Sequence, residues 1–390
     1  MTVARSFEGP GGVRGWLAYD GETRPLAVGG CRVQRGLSAE MLEALAARMT
    51  LKERVLGLNV DGAKCGLDYD PAGPDKAAAL RSFLAFLRDE LETRLSLGCD
   101  MGTQWNELER LAAVEGIPSI KYAIRSAQGL SDEDFFHRLG LLDEPVGPLT
   151  LAERRAGHAL ACAAISAARA TGGGPEGVGC ALQGFGNLGR GAAQSLAEHG
   201  VVLVAVADEH GCVADPDGLD LERMLAAPYG TPVAAAAGGG EVLPRDALAE
   251  LPCDLLVLAA TEDAVPADQA ARVEAPAVVV GANCGLSEEV EEALRARGVL
   301  VVPDFIGGIG GSASMEALFG SARPPASAAV VLDRTARLMR ELVDDLIETA
   351  RREDASIRSA ALELAASRAE TNGERPYGSC PYLAETAAVG

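Results

Sequence analysis

The stretch Val178–Asp208, VGCALQGFGNLGRGAAQSLAEHGVVLVAVAD, constrains the fold of this 390-residue chain more than any other. A short apolar run, Val178–Leu182, ends in Gln183 and the turn Gly184-Phe185-Gly186-Asn187-Leu188-Gly189. An Ala-rich helical segment closed by Gly200 follows, then a β-branched run, Val201–Ala207, that stops at Asp208. Strand, glycine turn, helix and strand make the repeating unit of a doubly wound α/β sheet, and the glycine spacing suits a bound dinucleotide. The first glycine makes the tight turn. The second lets the backbone approach a pyrophosphate, and the third lets helix and strand pack closely. The helix N-terminus offers free N–H groups and the positive end of its dipole to phosphates. Asp208 stands where a carboxylate accepts from ribose hydroxyls. Asp208 and Glu209 put negative charge where a 2′-phosphate would sit, and no arginine follows within a few residues, so NAD is expected over NADP.

The length is enough for two domains with separate cores. Fifty-six acidic against 35 basic residues give a formal net charge of −21, which argues against a nucleic-acid partner, since phosphate binding needs clustered Lys and Arg. The nine cysteines form no CxxC pair, and an odd, scattered set is expected to be reduced thiols in a cytoplasmic protein. The N-terminus lacks the apolar core of a signal peptide, and no apolar run reaches the ~18 residues of a membrane span. No metal site is expected.

Taken in order, residues 13–19 and Pro25–Val33 read as strands, the second containing Gly29-Gly30 and Arg32. From Ser38 the apolar residues recur at helical spacing through Met49, with Lys52 on the next turn. Leu56–Pro71 reads as strand and loop around Lys64, and Pro74–Leu95 as one amphipathic helix. Gly98–Thr103 is a polar loop whose Thr103 is expected to cap the following helix. Leu141–Thr150 reads as a linker and residues 152–170 as an Ala-rich helix. Beyond Asp208, apolar runs end at Ala260-Thr261, Gly281-Ala282-Asn283 and Pro303-Asp304, so three strand ends make a ligand crevice. A glycine-rich loop, Gly307–Gly311, and C-terminal helices follow. The fold expected is α/β with two domains. An N-terminal α/β substrate domain, 1–147, is completed by helices in 340–390, and 148–339 forms a Rossmann-type nucleotide domain.

Several of these motifs, in this order, resemble the glutamate/leucine/phenylalanine/valine dehydrogenase family. They are Gly29-Gly30-Cys31-Arg32, Met49-Thr50-Leu51-Lys52, Gly62-Ala63-Lys64, Asp100-Met101-Gly102-Thr103, the GFGNLG turn, Gly281-Ala282-Asn283 and Val301-Val302-Pro303-Asp304. The resemblance implies reversible oxidative deamination of an L-amino acid to the 2-oxo acid and ammonia by a homo-oligomer with a nicotinamide cofactor. It gives Lys52 the substrate α-carboxylate, Lys64 (with a depressed pKa) the activation of water, and Asp100 the proton on the amino group. It puts Thr150 and Asn283 near the nicotinamide carboxamide. The cofactor-binding set is then Thr150, Gly184, Gly186, Asn187, Leu188, Gly189, Asp208, Ala260 and Asn283, and the substrate lies against Gly29.

The chain departs from the family pattern at Leu151–Arg154 after Thr150, at Gly308 in place of an asparagine, at Asp263, and at Val280 before Gly281. These departures keep open a divergent biosynthetic relative that acts on an unusual amino or 2-oxo acid, for example by coupling. A non-catalytic nucleotide-binding regulator has no need of Lys52, Lys64 and Asp100 together. Glutamate-specific members carry a lysine before Gly-Gly-x-Arg and a serine past the later Gly-Gly pair. Here those positions are Val28 and Met315, so an apolar substrate side chain is expected.

Overall fold

The computed structural model describes residues 2–369 and 374–383, with side chains from residue 5 onward. The chain divides into two compact units. The first comprises Met1–Gly140, Leu318–Pro324 and Leu364–Gly390; the second comprises Leu141–Ala317 and Pro325–Glu363. Residues 340–363, expected to complete the substrate domain, thus cluster with the nucleotide-binding half.

In the first unit the order is β1 (Thr2–Glu8), β2 (Arg14–Asp20), β3 (Leu26–Gln34), α1 (Ala39–Val55), β4 (Val60–Asp68), α2 (Lys76–Phe86), α3 (Arg88–Thr93), β5 (Leu95–Cys99), α4 (Trp105–Val114), α5 (Ala123–Gln128) and α6 (Asp132–Gly140). The five strands form one sheet in the order β1-β2-β4-β3-β5. Strand β3 runs parallel to both β4 and β5. Because side chains alternate, Leu17, Cys31, Ala63, Cys65, Leu95 and Leu97 point into one core with Leu80, Phe83 and Leu84. The opposite face of β2 packs Ala18 and Trp16 with Leu42 and Ala46 of α1. That helix starts at Ser38, whose hydroxyl accepts from the Met41 amide at 3.3 Å. It docks on β4 at Gly62, where a Cβ would lie 2.1 Å from the Ala46 carbonyl oxygen. Thr50 locks the contact, accepting from the Gly62 amide at 2.9 Å and donating to the Asp20 carbonyl at 2.9 Å.

Two local expectations fail here. The single helix over 74–95 is two helices broken at Leu87, and Leu95 already belongs to a strand. Thr103 does not cap α4, whose N-cap is Gln104 with no side-chain cap. Its hydroxyl instead accepts from the Asp100 amide at 3.0 Å and donates to the Cys31 carbonyl at 2.8 Å, fixing the loop after β5.

The second unit opens with the hairpin β6 (Pro145–Val146) and β7 (Leu149–Thr150), inside the segment read as linker, and α7 (Leu151–Ala170). Then come β8 (Gly179–Gln183), α8 (Asn187–Ala197), β9 (Val202–Ala207), β10 (Cys212–Ala214), α9 (Leu221–Ala226), α10 (Val233–Ala237) and β11 (Glu241–Leu243). The rest is β12 (Leu255–Leu258), β13 (Ala277–Val280), α11 (Glu288–Ala296), β14 (Leu300–Val302), α12 (Asp304–Gly307), α13 (Gly310–Phe319), α14 (Ala328–Glu353) and α15 (Ile357–Ser367). The sheet order is β11-β10-β9-β8-β12-β13-β14, with β9 through β14 in that order parallel. After β8 the chain goes to one side, into β9, and later to the other, into β12. The carboxyl end of β8 is therefore the switch point where such sheets open a crevice. The glycine turn sits there.

The glycine-rich segment 307–311 is a two-residue turn between helices: Gly307 ends α12, Gly308 and Ile309 turn, and Gly310 begins α13. A Cβ on Gly307 would lie 2.2 Å from the Val280 carbonyl oxygen, and one on Gly310 2.6 Å from the Ala159 Cβ. These glycines serve close packing against β13 and α7.

Candidate functional site

Three polar side chains converge on one face of the sheet, Arg32 from β3, Lys64 from the middle of β4 and Asp100 from just past β5. The Asp100 Oδ2 accepts from Lys64 Nζ at 2.5 Å and from Arg32 Nε at 3.1 Å. Its Oδ1 accepts from the Met101 amide at 2.8 Å. Lys64 and Arg32 are both buried. Burial alone would push the Asp100 carboxyl up, but the charges of Lys64 and Arg32 outweigh it and hold the group well below the usual carboxylate range. Asp100 thus rests as the carboxylate. Arg32 was noted in sequence only as part of a motif, and its contact with Asp100 was missed. Its place on the same face of the sheet follows from strand alternation, which fixes it once β3 and β5 are in register.

Gly30, not Gly29, borders this cluster. A Cβ on Gly30 would lie 3.0 Å from the Asp100 Cβ and 3.3 Å from Lys64 Nζ. Gly29 lies against the neighbouring strand, with only 1.8 Å between a Cβ and the Ala63 carbonyl oxygen. Opposite Gly30 on β5 is Gly98, above which a Cβ would meet nothing nearer than 3.8 Å. The two glycines make a side-chain-free floor beside Lys64 and Asp100. One step back on the same face, Val28 pairs with Gly62 on one side and Ser96 on the other. Lys52 is on the last turn of α1, two residues past the Thr50 lock, and is 5% exposed.

The nucleotide end lies in the second unit. Gly184 has φ +92°, and a Cβ there would lie 2.7 Å from the Ala260 Cβ, so the tight turn requires glycine. Gly186 is the N-cap of α8, and its Cβ position faces only the Tyr229 hydroxyl, at 3.2 Å. A Cβ on Gly189 would lie 1.9 Å from the Gly184 carbonyl oxygen. Gly184 and Gly189 thus make the tight turn and the close approach read from their spacing, and Gly186 leaves its backbone open. Asn187 and Leu188 open α8, and the Asn187 amide donates to the Tyr229 hydroxyl at 3.3 Å. A cavity of about 240 Å³ is lined here by Gly184, Gly186, Asp208, Tyr229, Arg245 and Ala260, among others. An open backbone at a helix N-terminus, a flanking carboxylate and a cavity of this kind fit a dinucleotide.

Asp208 is already engaged. Its Oδ1 accepts from the amides of His210 (2.8 Å) and Gly211 (3.1 Å), and its Oδ2 from Val233 (2.7 Å). Arg245 also lines this cavity and donates to Thr261 Oγ1 at 3.1 Å. The expectation that no arginine stands near Asp208 holds along the sequence but not in space, because the segment between β11 and β12 returns to the same crevice.

Thr150 is the N-cap of α7. Its hydroxyl accepts from the Glu153 amide at 3.4 Å, and the Glu153 carboxylate accepts from the Thr150 amide at 2.8 Å, a reciprocal capping box. Asn283 follows β13, two residues before the turn ends at Gly285. Met315 is buried within α13, while Ser314 beside it accepts from Arg155 at 2.7 Å. Asp304 closes the motif after β14 structurally, accepting from the Cys284 amide at 2.9 Å and from Arg358 at 3.1 Å.

The first unit brings a carboxylate held by two cations beside an open floor, and the second a glycine turn at the switch point of a parallel sheet. Together they define a two-domain α/β enzyme of the dinucleotide-binding class. The family model for Glu/Leu/Phe/Val dehydrogenase, dimerisation domain, matches residues 9–113, and that for Glutamate/Leucine/Phenylalanine/Valine dehydrogenase matches 151–374. The chain belongs to that family: it is an amino-acid dehydrogenase, an oxidoreductase of a family that uses nicotinamide cofactors. It is 31% identical to a glutamate dehydrogenase from Thermotoga maritima over 303 residues, 76% of this chain and 70% of that one. It is 28% identical to an NADP-specific glutamate dehydrogenase from Saccharolobus shibatae over 306 residues, 76% and 68% of the two chains. The fold matches a hetero-hexameric glutamate dehydrogenase from Thermus thermophilus, in a leucine-bound form, with a TM-score of 0.74 and 26% identity over 95% of this chain and 88% of that one. Among the described residues no helix is long and apolar enough to cross a membrane.

Proposed function

We propose that this dehydrogenase interconverts an apolar L-amino acid with its 2-oxo acid and ammonia, using NAD, as a cytoplasmic homo-oligomer. The observation that carries the substrate reading is Val28, at the edge of the glycine floor where glutamate-specific members hold a lysine. A distal carboxylate brought beside Val28 would lose its hydration without gaining a cation there, at several kcal/mol. An apolar side chain would gain about 25 cal/mol per Å² buried. Met315 is proposed as a second apolar contact.

Lys52, buried on the last turn of α1, holds the α-carboxylate by a charge-assisted bond. Lys64 activates the water that attacks the imine carbon and, in reverse, polarises the oxo acid's carbonyl. Asp100, kept anionic by Lys64 and Arg32, takes and returns the proton of the substrate amino group. The cofactor, when bound, accepts the hydride from Cα and returns it in the reverse direction. Gly184, Gly186, Asn187, Leu188, Gly189, Asp208 and Ala260 hold it, with Thr150 and Asn283 at its nicotinamide end. Asp208 at the end of β9, followed by Glu209, supports NAD over NADP; of the two arginines lining the same cavity, Arg190 donates to the carbonyls of Met224 and Leu225 and Arg245 to Thr261.

One experiment tests both halves: kcat/KM for L-leucine, L-valine, L-phenylalanine and L-glutamate, each with NAD and with NADP. An apolar amino acid with NAD should be best, and Val28→Lys should move the preference towards glutamate. Preference of the wild type for glutamate would overturn the pocket assignment, and equal or better use of NADP would overturn the cofactor assignment.

A further inference from the structure

Ser96 carries a hydroxyl that nothing in the fold uses. It lies on β5, fully buried, and its Oγ has no hydrogen-bond partner among the described residues. Burying a hydroxyl unpaired costs about 1–3 kcal/mol, and of the buried groups in that position Ser96 is the one on β5, in the strand that leads into Asp100. Its neighbours on β5, Leu95 and Leu97, point into the core of the first unit. Alternation therefore puts Ser96 on the opposite face, that of Lys64, Asp100 and Arg32. On that face it is the register partner of Val28, as Gly98 is of Gly30.

We propose that Ser96 is a specificity-determining residue that reads a neutral hydrogen-bonding group on the substrate side chain. This rests on the reading of Val28 as a wall of the side-chain pocket. The glycine floor, open above Gly98, leads from the polar cluster to the Val28–Ser96 pair one row behind. Residues two apart on a strand are about 6.6 Å apart. A substrate whose α-amino group is at Asp100 and whose side chain runs back along the floor would bring its γ-substituent within reach of the Ser96 hydroxyl. A hydroxyl both donates and accepts, so an alcohol or amide on a short aliphatic stem suits it. An ionised carboxylate does not, because the adjacent residue is Val28 and not a cation.

L-homoserine and L-norvaline form the test, since they differ only by a hydroxyl in place of a terminal methyl. Their dissociation constants are measured by calorimetry on the full chain with NAD present, alongside kcat/KM, for wild type and Ser96→Ala. The expected result is a fall of about tenfold or more in the homoserine-to-norvaline ratio on substitution, through loss of homoserine binding. The Tm of Ser96→Ala should be unchanged or higher, because the substitution removes an unpaired polar group. A ratio that moves less than twofold, a Tm that falls by several degrees, or a wild type that binds neither ligand overturns the proposal. If leucine, valine or phenylalanine is still oxidised in any of those cases, the dehydrogenase reading stands and only the role of Ser96 fails.

Discussion

Two buried polar clusters, one in each unit, look alike in composition and differ in what they leave open. Lys64, Asp100 and Arg32 meet on one face of the first unit's sheet; Arg154, Ser195 and His158 meet between α7 and α8, with α14 supplying a carbonyl. Each contains an arginine 3% exposed. In the second cluster the bonding closes on itself. The Leu332 carbonyl can only accept, so His158 Nε2 carries the proton and donates to it at 3.1 Å. His158 Nδ1 then accepts from the Ser195 hydroxyl at 3.0 Å, and Ser195 Oγ accepts from Arg154 Nε and Nη2 at 3.3 Å. Glu198 neutralises Arg154. In the first cluster two cations meet one carboxylate, and the group borders a floor with no side chains. A charged cluster beside open space marks a place for a ligand; a closed net marks a joint between helices.

The sharpest way to break this contrast is Lys64→Ala. Turnover should fall by ~10²–10⁴, the range for losing a positioned proton-transfer group. Arg32 still pairs the Asp100 carboxylate in this variant, so the fold should survive with at most a few degrees lost from Tm. Cofactor affinity, followed by quenching of the bound dinucleotide's fluorescence, should stay within twofold. Retention of more than a tenth of the wild-type rate would remove Lys64 from the proposed mechanism and with it the functional half of the comparison.

The converse experiment concerns His158, which should matter for stability and not for turnover. Burial, and next the Arg154 charge, pull this imidazole from 6.5 down to about 4. The folded-state pKa is depressed, so the unfolded chain binds the proton more tightly. Stability from this group is intact above about pH 6.5, declines as pH falls towards 4, and levels off below. The loss is about 3 kcal/mol over that window. Urea unfolding at pH 7 and pH 4.5 should show His158→Gln losing less stability on acidification than wild type does. Its kcat at pH 8 should remain within twofold. An equal acid loss in both proteins would mean that other groups dominate, and a large fall in kcat would mean the closed cluster is not merely a joint.

How much of this could be read in the sequence depends on whether a constraint is local. The glycine turn was legible because each glycine answers to backbone geometry within a few residues: the +92° φ of Gly184, the open N-cap at Gly186, the 1.9 Å approach at Gly189. Lys64 and Asp100 were legible only as parts of ordered motifs; spacing alone does not show that they touch. Arg32 and Ser96 depend on strand register, which a single sequence does not fix. Arg245 returns to the cavity that Asp208 lines through a connection thirty-odd residues long, and no local pattern announces that return. The break at Leu87 and the joining of two helices within Gly307–Gly311 went unseen for another reason. Tertiary packing, against the sheet in one case and against β13 and α7 in the other, outweighs local propensity.

The smallest effect, and the one that most refines the contrast, belongs to Thr150. It begins the helix that carries Arg154 and His158, and its side chain and that of Glu153 form the capping box described above. Family resemblance places the same threonine beside the nicotinamide. The two roles predict different things. As a cap alone, Thr150→Ala should cost about 1 kcal/mol of stability, with Thr150→Ser restoring most of it and the KM for NAD unchanged. As a cofactor contact as well, Thr150→Ala should raise that KM severalfold, with Thr150→Ser again restoring it, because the hydroxyl is the shared feature. Glu153→Ala separates the readings, since it removes half of the capping box without touching the threonine. If Glu153→Ala and Thr150→Ala lower stability alike but only Thr150→Ala weakens NAD, the hydroxyl serves both ends. If both leave the KM unmoved, Thr150 belongs wholly to the helix, and the nicotinamide end of the site must be built from other residues.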